Sequence, residues 1–287
     1  MDRFSPSDAA LEGFRLTRER PGDIAVWTGF YFLALLVLFL TMLAVLGPGF
    51  RELIQSGGEA TDAEALADLL AKSPQLGPIL LLAVYFSAVV LAGVFRVVLR
   101  PGERGFAHLR FGADELRLTV VFLILLAFIA IALAMVDFAV VALGEMTGAG
   151  QLIPVIMTFA GLALTLWMAV RLSLAAPVTF ARRKIAIRES WRLTRGHFWS
   201  LLGMLVMSSI FWAIVWIMVS IIGYLSVALA GGPEAMADIK GLKPLTLFAL
   251  ALTFVVQILL PVLQIVMVGS PLAIAFEQLT GEPEPAA

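Results

Sequence analysis

The sequence predicts an all-α fold: a polytopic integral membrane bundle of six transmembrane helices, with short interfacial helices beside them. Three observations carry this reading. Hydrophobic residues fill 61% of the 287 positions and charged residues only 14%, against about 25% charged in an ordinary soluble domain, and the mean hydropathy is +0.98. Six apolar runs reach the roughly 20 residues that cross about 30 Å of hydrocarbon at 1.5 Å rise per residue. The basic residues alternate from loop to loop: 15 of the 20 Lys/Arg fall on one side, 4 on the other, and Arg171 lies inside a span. The richer side is expected in the cytoplasm, which places both termini there.

Residues 1–23 form a polar cytoplasmic segment with Arg3, Arg15, Arg18 and Arg20, helix-compatible from Ser7 to Arg20 and stopped by Pro21-Gly22. The first apolar run, 24–46, begins too late and runs too long for a secretory signal. Gly47-Pro48-Gly49 ends it. The loop to Gln75 has an acidic excess that suits the far side, and Thr61 can cap a short periplasmic helix reaching about Lys72. The second span, 76–99, carries Arg96 near its end, and Arg100-Pro101-Gly102 turns into a basic loop holding Arg104, Arg110 and Arg117. The third span covers 116–143, the fourth 152–180 with Arg171 near its end, the fifth 198–230 and the sixth 245–276. The membrane domain thus occupies 24–280, and 281–287 is a short cytoplasmic tail.

A repeat is visible. The tetrapeptide RLTR occurs at Arg15–Arg18 and Arg192–Arg195, and Arg96 and Arg171 each precede a proline, Pro101 and Pro177, by five or six residues. This suggests three related hairpins, each preceded by a basic segment around 7–20, 103–117 and 181–197. Repeats are common in membrane folds with a site at the repeat interface, but they also serve bundles without one.

Between Ala181 and His197 six Lys/Arg face one acid, Glu189. On a helix Lys184, Arg188, Arg192 and Arg195 would share an arc of about 80°, with Ile187, Trp191, Thr194 and Phe198 on another. Such a helix lays its apolar side toward acyl chains and offers anionic headgroups about 1 kcal/mol per basic residue. Arg171, Lys184, Arg188, Trp191, Arg192 and Arg195 are therefore the candidate lipid- or partner-binding residues. The plainer alternative is a charged loop that only obeys the orientation rule.

Polar residues inside the spans form a second set. Asp137 is the single acid well inside a span, expected near the outer interface or paired with a neighbouring helix. Arg96 and Arg171 are expected to snorkel, or to pair with acids such as Glu189 or Glu277. Gln257, Pro261, Gln264, Val268 and Pro271 form a stripe expected to point into the bundle, as polar glue or as a path. Ser209, Trp212, Trp216, Ser220 and Gly223 read as a packing stripe.

Chemistry is sparse. The chain has no cysteine, and its two histidines, His108 and His197, are far apart, so neither a metal nor a cofactor is expected. Paired carboxylates, a Ser/His/Asp set, HExxH, a P-loop and GxGxxG after a strand are all absent from the sequence, and the expectation is a protein that is not an enzyme.

The segments RLSLAAPVTF and ESWRLTRGHFWSLLGMLV resemble the signature of the membrane domain attached to some bacterial glycerophosphoryl diester phosphodiesterases and of its stand-alone relatives. Arg171, Pro177, Ser190, Trp191, Leu193, Thr194, Gly196 and Trp199 carry the likeness, which is clearest over 170–210. In the fused proteins a soluble catalytic barrel follows. This chain continues only 11 residues past its last span, so no barrel is expected and the resemblance implies no activity. It implies a multi-pass protein of the bacterial inner membrane. The functional expectation is a membrane module holding phospholipids, anionic ones preferred, or a protein partner, at its basic cytoplasmic loops, with no nucleic acid involved. The runner-up is a small transporter or lipid-translocating protein using the glutamine stripe and Asp137. Oligomeric state and ligand identity stay open.

Overall fold

The computed structural model describes residues 4–46, 76–103, 105–147, 152–232 and 244–281. Among them there is no strand. The order is α1 (Pro6–Glu19), α2 (Pro21–Leu46), α3 (Leu76–Leu99), a 3-10 turn (Phe106–His108), α4 (Ala113–Thr147), α5 (Leu152–Leu172), α6 (Ala175–Arg182), α7 (Ile187–Leu193), α8 (Phe198–Leu229) and α9 (Pro244–Thr280). Six stretches, α2, α3, α4, α5 running into α6, α8 and α9, are long and apolar enough to cross a membrane, so the chain is a multi-pass membrane protein. The helix expected from Thr61 to Lys72, the loop with Lys240 and Lys243, and the tail from 282 lie outside the described residues.

Local chemistry sets the boundaries. Ser5 caps α1 by accepting from Asp8 N, Pro6 opens it, and Asp8 and Arg18 sit at the dipole-favoured ends. Pro21 opens α2. The fourth span is two helices rather than one. Pro177 lacks an N–H and crowds the carbonyl four residues back, so the helix breaks at Ser173-Leu174, where Ser173 Oγ donates to Val170 O at 2.8 Å. At 37 residues α9 is about 55 Å long, well beyond a hydrocarbon core of about 30 Å. Its final third runs antiparallel to α1: Ser5 N donates to Gln278 Oε1 at 3.3 Å, and a methyl on Gly13 would lie 2.7 Å from Met267 Cα. The two helices touch backbone to backbone because glycine stands there.

The expected hairpins exist as neighbouring pairs, α2 with α3, α4 with α5 and α8 with α9. The three basic segments before them are unlike one another. The first is a 14-residue amphipathic helix, the second a single 3-10 turn, the third the 7-residue α7.

The core gathers where α2, α4 and α8 begin and α3, α6 and α9 finish, the end rich in arginine. One cluster joins Ala9, Val178, Leu201 and Phe276; a second joins Leu16, Trp27, Val94 and Val266; a third joins Phe95, Leu118, Phe180 and Ala273. α3 is the central helix, with 44% of its apolar window buried against 6% for α2 and α8. Away from the basic end fewer side chains are buried, although Phe32 meets Phe254 at 5.5 Å and Thr246 Oγ1 donates to Ala230 O at 3.3 Å. The packing stripe expected on the fifth span is therefore only partly realised: Ser209 and Trp216 are exposed, while Leu201, Met204 and Ser208 make the buried contacts of α8.

Candidate functional site

The basic face is built on the end of α5. The last carbonyls of a helix lack intrahelical donors, and the Arg171 carbonyl receives two side-chain hydroxyls from α7, Ser190 Oγ at 3.1 Å and Thr194 Oγ1 at 3.3 Å. Ala186 N donates to Thr179 Oγ1 at 3.2 Å, fixing the start of α7 to α6. Trp191 meets Trp167 edge to face at 5.2 Å, and the Arg171 guanidinium lies 5.7 and 5.8 Å from the two ring centroids. These contacts hold α7 by its Ser190–Thr194 side. Its other side faces out.

On that outer side Lys184, Arg188 and Arg192 line one groove of about 910 Å³ with Ile185 and Glu189. All three basic residues are exposed. Glu189 is engaged with Arg182, Nε to Oε1 at 3.1 Å, so it answers a cation outside the trio. The groove's own cations have no carboxylate within 4.0 Å among the described residues. It is thus an open, cation-rich surface on a fixed platform.

Three candidates are placed differently from the sequence reading. Arg195 lies beyond the helix, which stops at Thr194 before Gly196 turns the chain at φ +85°, so it is exposed but outside the groove. The helix is also shorter than expected, and Lys184 precedes it. Arg171 and Trp191 sit on the reverse side of α7, where they hold it in place. Arg171 neither pairs with Glu189 nor reaches any carboxylate among the described residues; two of its nitrogens, Nε and Nη1, are buried without a hydrogen-bond partner beside the tryptophans.

The intramembrane set is more open than the stripe expectation had it. Asp137 is exposed on α4 and has no ion-pair partner among the described residues. Gln257 and Gln264 are exposed as well, while Val268 is half-buried and Pro271 buried. Gln264 and Val268 face a crevice walled by α3, α4 and α5, so that part of the stripe lies along an open gap between helices rather than in a tight contact. Ser270 Oγ, beside Pro271, donates to Val266 O at 2.6 Å.

Sequence reasoning missed the most buried charges. Arg96 does not snorkel: it is 2% exposed and pairs with Glu115, 1% exposed, in the first turn of α4. Its Nη1 donates to His108 O at 2.8 Å, and Trp27 Nε1 donates to Ala107 O at 2.7 Å, so the two carbonyls of a left-handed turn, with φ of +47° at Ala107 and +59° at His108, are both held from the core. Arg100 donates to Phe180 O at 2.6 Å, lies 4.4 Å from the Phe180 ring centroid, and reaches Asp114 at 3.3 Å and Glu103 at 3.5 Å. Glu103 also takes Arg183 at 3.1 Å. A signal existed: Glu115 opens a span with acids in its first turn, one tight loop after Arg96. Among the described residues no group of three or more His, Asp or Glu could hold a metal. Compared with protein families, curated proteins and solved structures, the chain matches none of them.

Proposed function

We propose that this chain is a non-catalytic, multi-pass protein of the bacterial inner membrane, with both termini cytoplasmic, that holds anionic phospholipid headgroups or an acidic partner protein against its basic face. It would be a relative of the membrane domain found beside glycerophosphoryl diester phosphodiesterases. The observation that carries the reading is the convergence of Lys184, Arg188 and Arg192 on one open groove, on a helix clamped through Ser190, Thr194 and Trp191. A merely compliant loop has no need of that clamp. Preorganisation spares the ligand the cost of ordering the site.

The test is native mass spectrometry of protein released from bilayers of phosphatidylglycerol and phosphatidylcholine in equal parts. Phosphatidylglycerol should be retained preferentially, and Arg188→Ala with Arg192→Ala should weaken retention about thirtyfold, from about 1 kcal/mol per basic residue. Unchanged retention in the double variant removes the lipid reading, and a co-released stoichiometric protein lost in the same variant points to the partner instead. A tag at either terminus labelled from the periplasm overturns the orientation. A second reading, a small transporter or lipid-translocating protein, draws on one observation, the open placement of Gln257 and Gln264; lipid exchange between leaflets of proteoliposomes, abolished by Gln264→Leu, is its test.

A further inference from the structure

A crevice of about 400 Å³ lies among α3, α4, α5 and α9, away from the basic groove. Its back wall is buried, with Leu91, Gly269 and Ala176, and its rim, with Phe128, Ile129 and Gln264, is exposed. Toward the basic end it is closed by the cluster of Phe95, Leu118, Phe180 and Ala273. The volume falls in the range of small-molecule sites, about 300–1,000 Å³.

We propose that this crevice is a seat for one hydrocarbon chain of a membrane lipid, reached sideways from the bilayer. The walls belong to helices that span a membrane, so the medium at the rim is hydrocarbon. Water is a poor occupant, because the Ser87, Thr165 and Ser173 hydroxyls already donate to carbonyls of their own helices, at 3.1, 2.9 and 2.8 Å, and a buried water needs two to four polar partners. An empty slot forfeits dispersion contacts along its whole wall. A helix from a second copy fits less well: membrane helices pack through small residues that let backbones approach, whereas this rim carries Phe122, Phe128, Ile129 and Met168. These side chains fend off a backbone and leave room for a chain between them. Gln264 supplies the one side-chain amide of the crevice lining, without a hydrogen bond to the described residues, and it selects a chain with an ester or hydroxyl near that depth.

The seat is separate from the proposed headgroup site. Along α5 the crevice takes Thr165, Met168, Ala169 and Leu172, with Ser173 just past its end, while Arg171 and Trp167 point roughly 110° or more from their mean direction. The crevice and the basic groove share no lining residue, so substitutions in one leave the other intact and the two proposals fail independently.

The experiment places the full chain in bilayers of phosphatidylethanolamine and phosphatidylglycerol doped with a phosphatidylethanolamine bearing a diazirine in one acyl chain, and maps the peptides labelled on illumination. The expected result is labelling of Phe122, Phe128, Met168 and Gln264 several-fold above positions of α8 at least as exposed, such as Ile214 and Ile221. Ala169→Trp and, separately, Ala132→Trp fill the slot from different helices and should each abolish the excess while α8 labelling persists; that persistence reports an intact fold. Equal labelling of the crevice and α8, or an excess that survives both substitutions, overturns the proposal. So does a second copy in the slot, read as an oxidant-induced dimer of Ala169→Cys, whose thiol is the chain's first.

Discussion

Replacing Glu115 by alanine strips the counter-charge from an arginine that water cannot reach. Arg96 is 2% exposed and Glu115 1%, and breaking a buried pair by removing one member costs about 3–5 kcal/mol, because the survivor is left charged and desolvated. The exposed Arg183–Glu103 pair, 64% and 27% exposed at 3.1 Å, sets the contrast. Arg183→Ala should cost no more than about 1 kcal/mol. Replacing both members of the buried pair, Arg96→Met with Glu115→Leu, removes the stranded charge but also the bond from Arg96 to His108 O at 2.8 Å. Leaving that carbonyl without a partner keeps a cost of about 1–3 kcal/mol. The double variant should therefore be more stable than Glu115→Ala alone despite carrying one more substitution. Unfolding in mixed micelles titrated with sodium dodecyl sulfate, followed by circular dichroism, measures all four proteins. A loss near the surface-pair value in Glu115→Ala, or a double variant no better than the single, would refute the reasoning.

Other consequences follow from the same end of the bundle. Gly13→Val puts side-chain atoms into the α1–α9 backbone contact, where even a methyl lies 2.7 Å from Met267 Cα; a cost of about 1–3 kcal/mol is expected, read as faster tryptic cleavage after Arg15 and Arg18. Trp27→Phe keeps the ring packing but loses the 2.7 Å bond to Ala107 O, and should destabilise by about 1–3 kcal/mol in the same unfolding assay. Ala107→Gly has the opposite sign: at φ +47° alanine bears a left-handed penalty that glycine does not, so a gain of up to about 1 kcal/mol is expected.

The spans were legible because their signal is length and apolarity, which a bilayer imposes on every crossing segment. Helix ends were legible to within a few residues where a proline stands: Pro21, expected to stop the first helix, also opens α2, while the Ser5-Pro6 start of α1 lies just before the Ser7 expected for it. The break at Ser173 was not, since Pro177 so near an expected end reads as termination rather than interruption. Arg188 and Arg192 were placed on the outward side of their helix by periodicity alone. Arg195 and Arg171 were not, because the helix stops at Thr194, before Arg195, and the tryptophan clasp on Arg171 joins residues 24 positions apart that no local pattern connects. The partner of Arg96 is likewise a matter of tertiary position. Burial of a charge is decided by what packs over it, here Phe180 with its ring centroid 5.7 Å from the guanidinium.

The contrast between the two ends of the bundle follows from the solvent. In water the outer halves of α2, α4 and α8, with residues such as Leu40, Ile131 and Ile217 exposed, would collapse on one another. In hydrocarbon an exposed leucine gains little by finding another leucine, since lipid tails are equally apolar. Association must then come from what lipid cannot supply: the Arg96–Glu115 pair, carbonyls held by Trp27, Arg96 and Arg100, and close approaches at Gly13 and Gly269. Most of these lie toward the basic end; nearer the other end stand the close approach of α5 to α4 at Gly161 and Val136 and the bond from Thr246 Oγ1 to Ala230 O at 3.3 Å. The rigid part of the molecule is thus the part that presents arginines, and the loosely associated part is the part that contacts acyl chains. That division predicts where amide exchange slows. The amides of α6 from Val178, of the second turn of α4 from Leu116 and of the last turns of α3 should be the most protected, and those of the outer half of α8 should open first despite the same helical hydrogen bonding. Uniform protection along α8 would mean that its outer half packs against something more specific than lipid.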